Sequence, residues 1–254
     1  MGRPKIDRTG EVVVNNDGEK MRIIRYGCYA DIDVQFDDGT IVEHKAYSAF
    51  KTGMIKNPMF PSVYGVGCIG IGEFKSCDEN GKLTKCYIAW KNMLDRCYDP
   101  KFHEKFPTYK DCKVCKEWHN FQVFAKWYYE HYYEFEGQTM ALDKDILNKG
   151  NKIYSPDTCI FVPVSINSLF VKCDNTRGEF PIGVHKHRDK FVATLYKDKG
   201  KQIYLGTFNT PELAFQAYKQ GKEQYIKEVA EEYKGKIPQK LYDAMMNYKV
   251  EIDD

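Results

Sequence analysis

The hydrophobic period of this 254-residue chain changes along its length, and that change restricts its fold more than any other feature. Over about 11–57 the runs EVVVNN, KMRIIRYGCYADIDVQF and TIVEHKAY alternate apolar and polar residues, as half-buried strands do. Asn16-Asp17-Gly18 and Asp37-Asp38-Gly39 separate them, and Asp-Gly between alternating runs is a hairpin signal. From about 83 to 135 the period lengthens. Tyr87, Trp90, Leu94 and Cys97 recur at three- and four-residue spacing behind Thr84, a capping residue. A second helical stripe, from about 117, carries Trp118, Phe121, Phe124, Ala125, Tyr128 and Tyr132. Residues 177–226 return to alternation through Val184, Phe191, Ala193, Leu195 and Ile203. They end in a helix capped by Thr210 ahead of Pro211 and Glu212, with Leu213, Ala214, Ala217, Tyr218 and Tyr225 on its apolar face. Strands and helices segregated in this way predict an α+β fold.

The expected organisation is a small β-barrel over 1–62, a glycine-rich connector over 63–83 and a β-β-α module on a helical support over 84–176. A three-stranded sheet plus helix over 177–233 and a C-terminal helix and tail over 234–254 complete it. The connector contains G-x-G spacings, but no helix signal follows them, so a phosphate-binding loop is not expected. Aromatics and cations interleave in the helical segment; their helical period assigns them to a core before base stacking. The last helix, after Pro238, presents Leu241, Met245 and Tyr248 on one face for packing or a dimer contact.

No run approaches the 18 apolar residues of a membrane span, and the start, MGRPKIDRTGEVVV, lacks a basic-then-apolar signal. A soluble protein of the cytoplasm is the expectation. Nine cysteines in such a compartment are expected to be reduced. Cys112 and Cys115, followed by His119, form one knuckle of a possible structural Zn²⁺ site. Cys97, Cys159 or Cys173 would have to complete it, and no spacing demands that. The net charge of +2 matters only through its distribution. Residues 10–60 carry eight acids against six Lys/Arg, whereas 182–204 carry six Lys/Arg against two Asp. A polyanionic partner is therefore sought in the C-terminal part.

The candidate chemistry lies in 139–170. Leu142-Asp143 makes a short strand, and a polar loop with Gly150 follows. Ser155-Pro156-Asp157 is a turn, Cys159 to Val162 a second strand, and Pro163 suits the first turn of a helix. That helix turns Ile166, Leu169 and Phe170 inward and returns Asn167 toward Asp143, giving a β-β-α finger. The strings W-x-N-M-L-x-R-C-Y (90–98), C-x-x-W-x-x-F (115–121), L-D-K-D (142–145) and GNKIYSPDTCIFV (150–162) resemble HNH endonucleases of phages and mobile introns, over about 84–175. The resemblance implies that Asp143 and Asn167 bind one divalent metal, Mg²⁺ or Mn²⁺. The family's water-activating His falls on Lys144, and its bracing Asn falls on Thr158. A free lysine with pKa of about 10.4 would need a depression of about three units, roughly 4 kcal/mol, to act as a base at neutral pH. Burial or the metal would favour that; the carboxylates of Asp143 and Asp145 oppose it. Lys144 is better suited to steady a phosphate or the leaving group, with Asp145 positioning the water.

The C-terminal stretch has Gly183-Val184, H-K-H-R (185–188), Y-L-G-T-F (204–208) and E-L-A-F-x-A-Y (212–218), with a second turn at Asp198-Lys199-Gly200. It is similar to the plant APETALA-type (ethylene-response-factor) DNA-binding domain, whose sheet enters the major groove. The face away from the helix is expected to present Lys186, Arg188, Lys190, Tyr196, Lys197, Lys201 and Tyr204, with His185 and His187 as further phosphate contacts. The family's Trp is absent and lysine outnumbers arginine, which favours point contacts to phosphate over bidentate readout of guanine. The chain thus reads as a metal-dependent endonuclease of a phage or mobile element acting on double-stranded DNA. Alternatives are a DNA-binding protein without cleavage, or a phage inhibitor of a host defence protein that uses the acidic N-terminal module as its protein contact.

Overall fold

A computed structural model of the chain describes residues 6–135, 137–170, 179–197 and 200–252. Its fold is mixed α+β, and it divides into two compact units, Met1–Glu130 and His131–Asp254. Among the described residues no helix is long and apolar enough to cross a membrane.

The first unit opens with an antiparallel meander of β1 (Val12–Val14), β2 (Lys20–Cys28), β3 (Asp31–Phe36) and β4 (Ile41–Lys45), in that spatial order. Alternation decides its inner face: Met21, Ile23, Ile32, Val34 and Phe36 are buried together. The expected barrel does not close, because β1 and β4 remain the two edges of an open sheet. A helix, α1 (Tyr47–Lys51), supplies the cover that closure would have given, burying Tyr47 and Phe50 in the same cluster. The single run expected over 20–36 is in fact two strands. They turn at Tyr29-Ala30, a site with no glycine, and β2 is bulged between Tyr26 and Cys28.

The rest of this unit is built on α2 (Lys85–Tyr98), α3 (Pro100–Lys105), the two-residue strand β5 (Lys113–Val114) and α4 (Phe121–His131). Thr84 caps α2 by accepting from Tyr87 N at 3.2 Å. Trp90, Leu94, Phe121 and Phe124 are fully buried, so the aromatic stripe is core. Trp118 lies in a 3-10 turn ahead of α4, which begins four residues later than its sequence pattern suggests. The glycine-rich segment is neither a strand nor a free connector. Gln122 holds it, donating to Ile69 O at 3.2 Å and Phe74 O at 2.9 Å and accepting from Phe74 N at 3.0 Å. Gly72 is needed there because a Cβ would lie 2.3 Å from Gln122 Oε1.

The second unit contains β6 (Met140–Asp143), the two-residue β7 (Ile153–Tyr154), β8 (Ile160–Pro163) and α5 (Val164–Asn167). They are followed by β9 (Val184–His187), β10 (Lys190–Lys197), β11 (Lys201–Phe208), α6 (Pro211–Glu232) and α7 (Gln239–Asn247). β6 pairs antiparallel with β8, and α5 packs back on both, as the β-β-α pattern requires. The second sheet has the order β11-β10-β9 and is covered by α6. Residues 198–199 of its expected turn lie outside the described residues. The hairpin and this sheet, expected as separate modules, share one core. Ile160, Val162 and Ile166 are buried in the same cluster as Leu195, Phe215, Ile226, Leu241 and Met245. Each such aliphatic side chain contributes roughly 1.5–3 kcal/mol when fully buried. The apolar face of α7 is therefore used inside the unit rather than offered to a second copy.

Gly183 shows how tightly α6 seats on the sheet. Its φ is +76°, and a Cβ on it would lie 2.0 Å from the Tyr218 ring. Gly183→Ala is expected to lower the thermal midpoint of the second unit, with overpacking alone costing about 1–3 kcal/mol. Differential scanning calorimetry checks this, and an unchanged midpoint would mean that α6 does not seat there.

Candidate functional site

Asp143 ends β6, where the strand leaves its ladder with β8 at Ile160. Its Oδ1 accepts from Asp145 N at 2.8 Å and Ile146 N at 2.7 Å, an Asx-type turn that fixes the carboxylate. Among the described residues no hydrogen bond occupies its Oδ2. Burial, then the charge of Asp145, pushes the Asp143 carboxyl up to about 6, against the lowering by the two backbone N–H groups and Lys144. Such a group is poised to exchange a proton for a cation.

Lys144 does not present its charge outward. Its side chain is 8% exposed, and Nζ lies 3.1 Å from Asp145 Oδ2 and 5.8 Å from the centroid of the Tyr154 ring. A phosphate contact through Lys144 would require that pair to open. Asp145 is the exposed partner. Asn167 closes α5 and is half-buried, on a helix packed against β6.

Pairing assigns the residues of the basic sheet to its faces, since residues directly opposite across a ladder share a side. Ala193 and Leu195 point into the core under α6. Lys186 stands opposite Phe191, which packs on that core, so Lys186 lies on the helix side. Lys197 is on that side too: its Nζ is 2.8 Å from Glu228 Oε2 and 4.6 Å from the Tyr225 ring centroid, both on α6. Lys201 stands opposite Lys197. These three lysines are thus not on the outer face expected for them: Lys197 shares the parity of Leu195, and pairing puts Lys186 and Lys201 on that same side. The outer face carries His185 opposite Val192, His187 opposite Lys190, Tyr204 opposite Thr194, and Tyr196. Lys190 Nζ is hydrogen-bonded to Asn209 Oδ1. Arg188 sits at the β9–β10 turn with φ of 56°, in the left-handed region.

One trio with metal-ligand chemistry is assembled among the described residues: Asp31, Asp33 and His44 offer ligand atoms within 4.8 Å of one another. Its position was not anticipated. Arg25 already occupies it, bonding Asp31 through Nη1 at 3.0 Å and Nη2 at 2.8 Å, and Asp33 through Nε and, at 2.7 Å, Nη2. His44 adds its backbone N to Asp33 at 3.0 Å and its Nδ1 against Asp31 at 2.9 Å. Arg25 and then His44 hold the Asp31 carboxyl down at about 2. With all four oxygens engaged, the cluster is an ion-pair network in which a guanidinium stands where a metal would. Cys112 and Cys115 belong to no such group among the described residues and are not joined in a disulfide. Cys173 lies outside the described residues.

No protein-family model, curated protein or solved structure matches the chain.

The residue that braces the hairpin was missed in the sequence. Asn151 Nδ2 donates to Lys144 O and Ile153 O, each at 2.7 Å, and its Oδ1 accepts from Ile153 N at 3.2 Å. Thr158, where the family's bracing Asn falls, contributes two bonds through Oγ1, to Ile153 O at 2.8 Å and with Ser155 Oγ at 2.9 Å. The only signal was Asn151 directly after Gly150 in a polar loop, an ordinary turn pair. A second unanticipated tie joins α5 to the end of α6. Gln138 Nε2 donates to Tyr233 Oη at 2.9 Å, and Ser165 Oγ donates to Gln138 Oε1 at 2.5 Å.

The Asp143 carboxyl has a folded-state pKa above its unfolded value of about 3.9, so its contribution favours folding below about pH 4 and is lost as pH rises through about 6. At pH 7.5 the ionised carboxylate costs up to roughly 2–3 kcal/mol. Asp143→Asn keeps the acceptor for both N–H groups and removes the charge. It is expected to raise the metal-free thermal midpoint at pH 7.5 and to flatten its dependence on pH between about 4 and 6. A lower midpoint at pH 7.5 would contradict this account of the site.

Proposed function

We propose that the protein is a metal-dependent DNA phosphodiesterase of endonuclease type, using one Mg²⁺ or Mn²⁺ at Asp143. The observation that carries this is a carboxylate whose Oδ1 is fixed by two backbone N–H groups while burial and Asp145 disfavour its charge. A divalent cation at Oδ2 would relieve that cost, and Asn167 on the adjoining helix is the neutral oxygen ligand available to it. Oxygen donors of this kind suit a hard cation. The metal would supply Lewis-acid polarisation of a phosphodiester and a water of lowered pKa. Asp145 would be the residue placed to orient that water. Lys144 balances the Asp145 charge, and on substrate binding its ammonium would transfer to the phosphate. DNA is the polyanion matched by the exposed cations of the β9–β10 segment, Lys186, Arg188 and Lys190, in the same unit as the hairpin.

A second reading, binding without cleavage, is favoured by one observation: the position that would activate water holds a buried, paired lysine. A supercoiled plasmid separates the two, since a single nick relaxes it. With Mg²⁺ or Mn²⁺, wild type is expected to nick and to gain thermal stability, and Asp143→Ala to lose both. Lys144→Ala is expected to slow nicking, by tenfold for each ~1.4 kcal/mol lost, and Lys144→His to match or exceed wild type. Cutting by Lys144→His alone would make the natural protein a binder. If neither wild type nor Lys144→His responds to metal, the hydrolase reading fails.

Binding to duplex DNA is expected to weaken steeply between about 50 and 200 mM salt. Arg188→Ala with Lys190→Ala should reduce the slope of log K against log salt by about two, one for each phosphate contact. An unchanged slope would move the electrostatic contact away from the β9–β10 turn.

A further inference from the structure

We infer that the outer face of the β9–β10–β11 sheet is a stacking platform for unpaired nucleic-acid bases, with Tyr196 and Tyr204 as its two rings. This deepens the proposed function and rests on its reading of a nucleic-acid partner. Tyr196 is 60% exposed and Tyr204 65% exposed, and strand parity puts both on the side away from α6. Thr194 faces Tyr204 and Tyr196 faces Gln202, so the two tyrosines are diagonal neighbours on adjacent strands, roughly 7–8 Å apart at their backbones. A hydrogen bond of 2.8 Å between Tyr204 Oη and Thr207 Oγ1 ties the hydroxyl to its own strand and restrains the ring.

The charge at the other end of this face, four to six strand residues away, suits a phosphate backbone that runs on from the rings. His187 and Lys190 face each other on the same side, and Arg188 stands at the turn between them. Among the described residues of these strands and that turn, Asp189 is the one carboxylate. The face is at the same time poor in lysine, because Lys186, Lys197 and Lys201 lie on the helix side and Lys197 is committed to Glu228. A face with few point charges and two open rings recognises π-surfaces more than it recognises a uniform row of phosphates. In a duplex those π-surfaces are covered by neighbouring base pairs, whereas in a single strand they are open to an aromatic side chain. The ligand is therefore single-stranded nucleic acid, with DNA or RNA as its source.

The test is fluorescence anisotropy on the full chain with oligo(dT), oligo(U) and a blunt DNA duplex of equal length, in metal-free buffer so that nothing is cut. Wild type is expected to bind oligo(dT) more tightly than the duplex. Tyr196→Ala and Tyr204→Ala should each weaken oligo(dT) binding by about tenfold. Tyr196→Phe and Tyr204→Phe should retain it, since the ring and not the hydroxyl stacks. Thermal midpoints of these exposed-site variants confirm that they fold. Equal binding of oligo(U) supports a platform indifferent to the sugar, and preference for oligo(dT) over oligo(U) supports one that takes DNA. Duplex affinity equal to or above that for oligo(dT), or alanine variants at wild-type affinity, overturns the proposal. Nicking of plasmid without single-strand preference would leave the hydrolase reading standing and remove only the platform. Single-strand preference without nicking would do the reverse.

Discussion

Burial of one side of the β6–β8 hairpin against the C-terminal sheet and helices is the interaction on which the candidate site depends. The hairpin by itself is a four-pair ladder followed by one turn of helix. Neither a two-stranded hairpin nor a single helical turn persists alone in water. Ile160, Val162 and Ile166 become core only because Leu195, Phe215 and Leu241 lie in the same cluster. Polar ties then set the register of the pieces. Tyr233 at the end of α6 meets Gln138 and Ser165, and Lys149 in the hairpin loop donates to Lys249 O at 2.9 Å. The Asp143 carboxylate and the basic sheet therefore belong to one packed unit.

Two acidic clusters among the described residues illustrate opposite electrostatic solutions. Around Arg25 every carboxylate oxygen of Asp31 and Asp33 meets a guanidinium or His44 donor, and both carboxyls are driven below their ordinary range. The charge is satisfied and the chemistry is finished. Around Asp143 the cation is turned to Asp145, the carboxyl is pushed upward, and Oδ2 keeps no hydrogen-bond partner among the described residues. The ionised carboxylate there is held at a cost to stability.

Much of the fold was legible in the chain itself. Periodicity marked the meander, the aromatic helices, the β-β-α order and the final sheet and helix. The caps at Thr84 and Thr210 fell where their side chains were expected to accept backbone N–H groups. Local chemistry suffices for these, because a cap or a strand period involves residues only a few positions apart. Asp143 as the residue fixed at the end of its strand was likewise readable, since the backbone N–H groups that donate to it lie two and three residues on.

Only the tertiary structure decided the rest. That the meander stays open, that the glycine-rich segment is pinned by Gln122, and that Asn151 joins Thr158 in bracing the hairpin all depend on partners chosen in space. The lysines make the point most clearly. As a string, 186–201 reads as one basic patch. The register between β10 and its two neighbours instead sends Lys186, Lys197 and Lys201 to one side and leaves Tyr196, Tyr204 and His187 on the other. The sequence determined which residues are strand and that the segment is cationic. Which charges face a ligand was settled by pairing, because side-chain direction alternates every residue and one step of register exchanges the two faces.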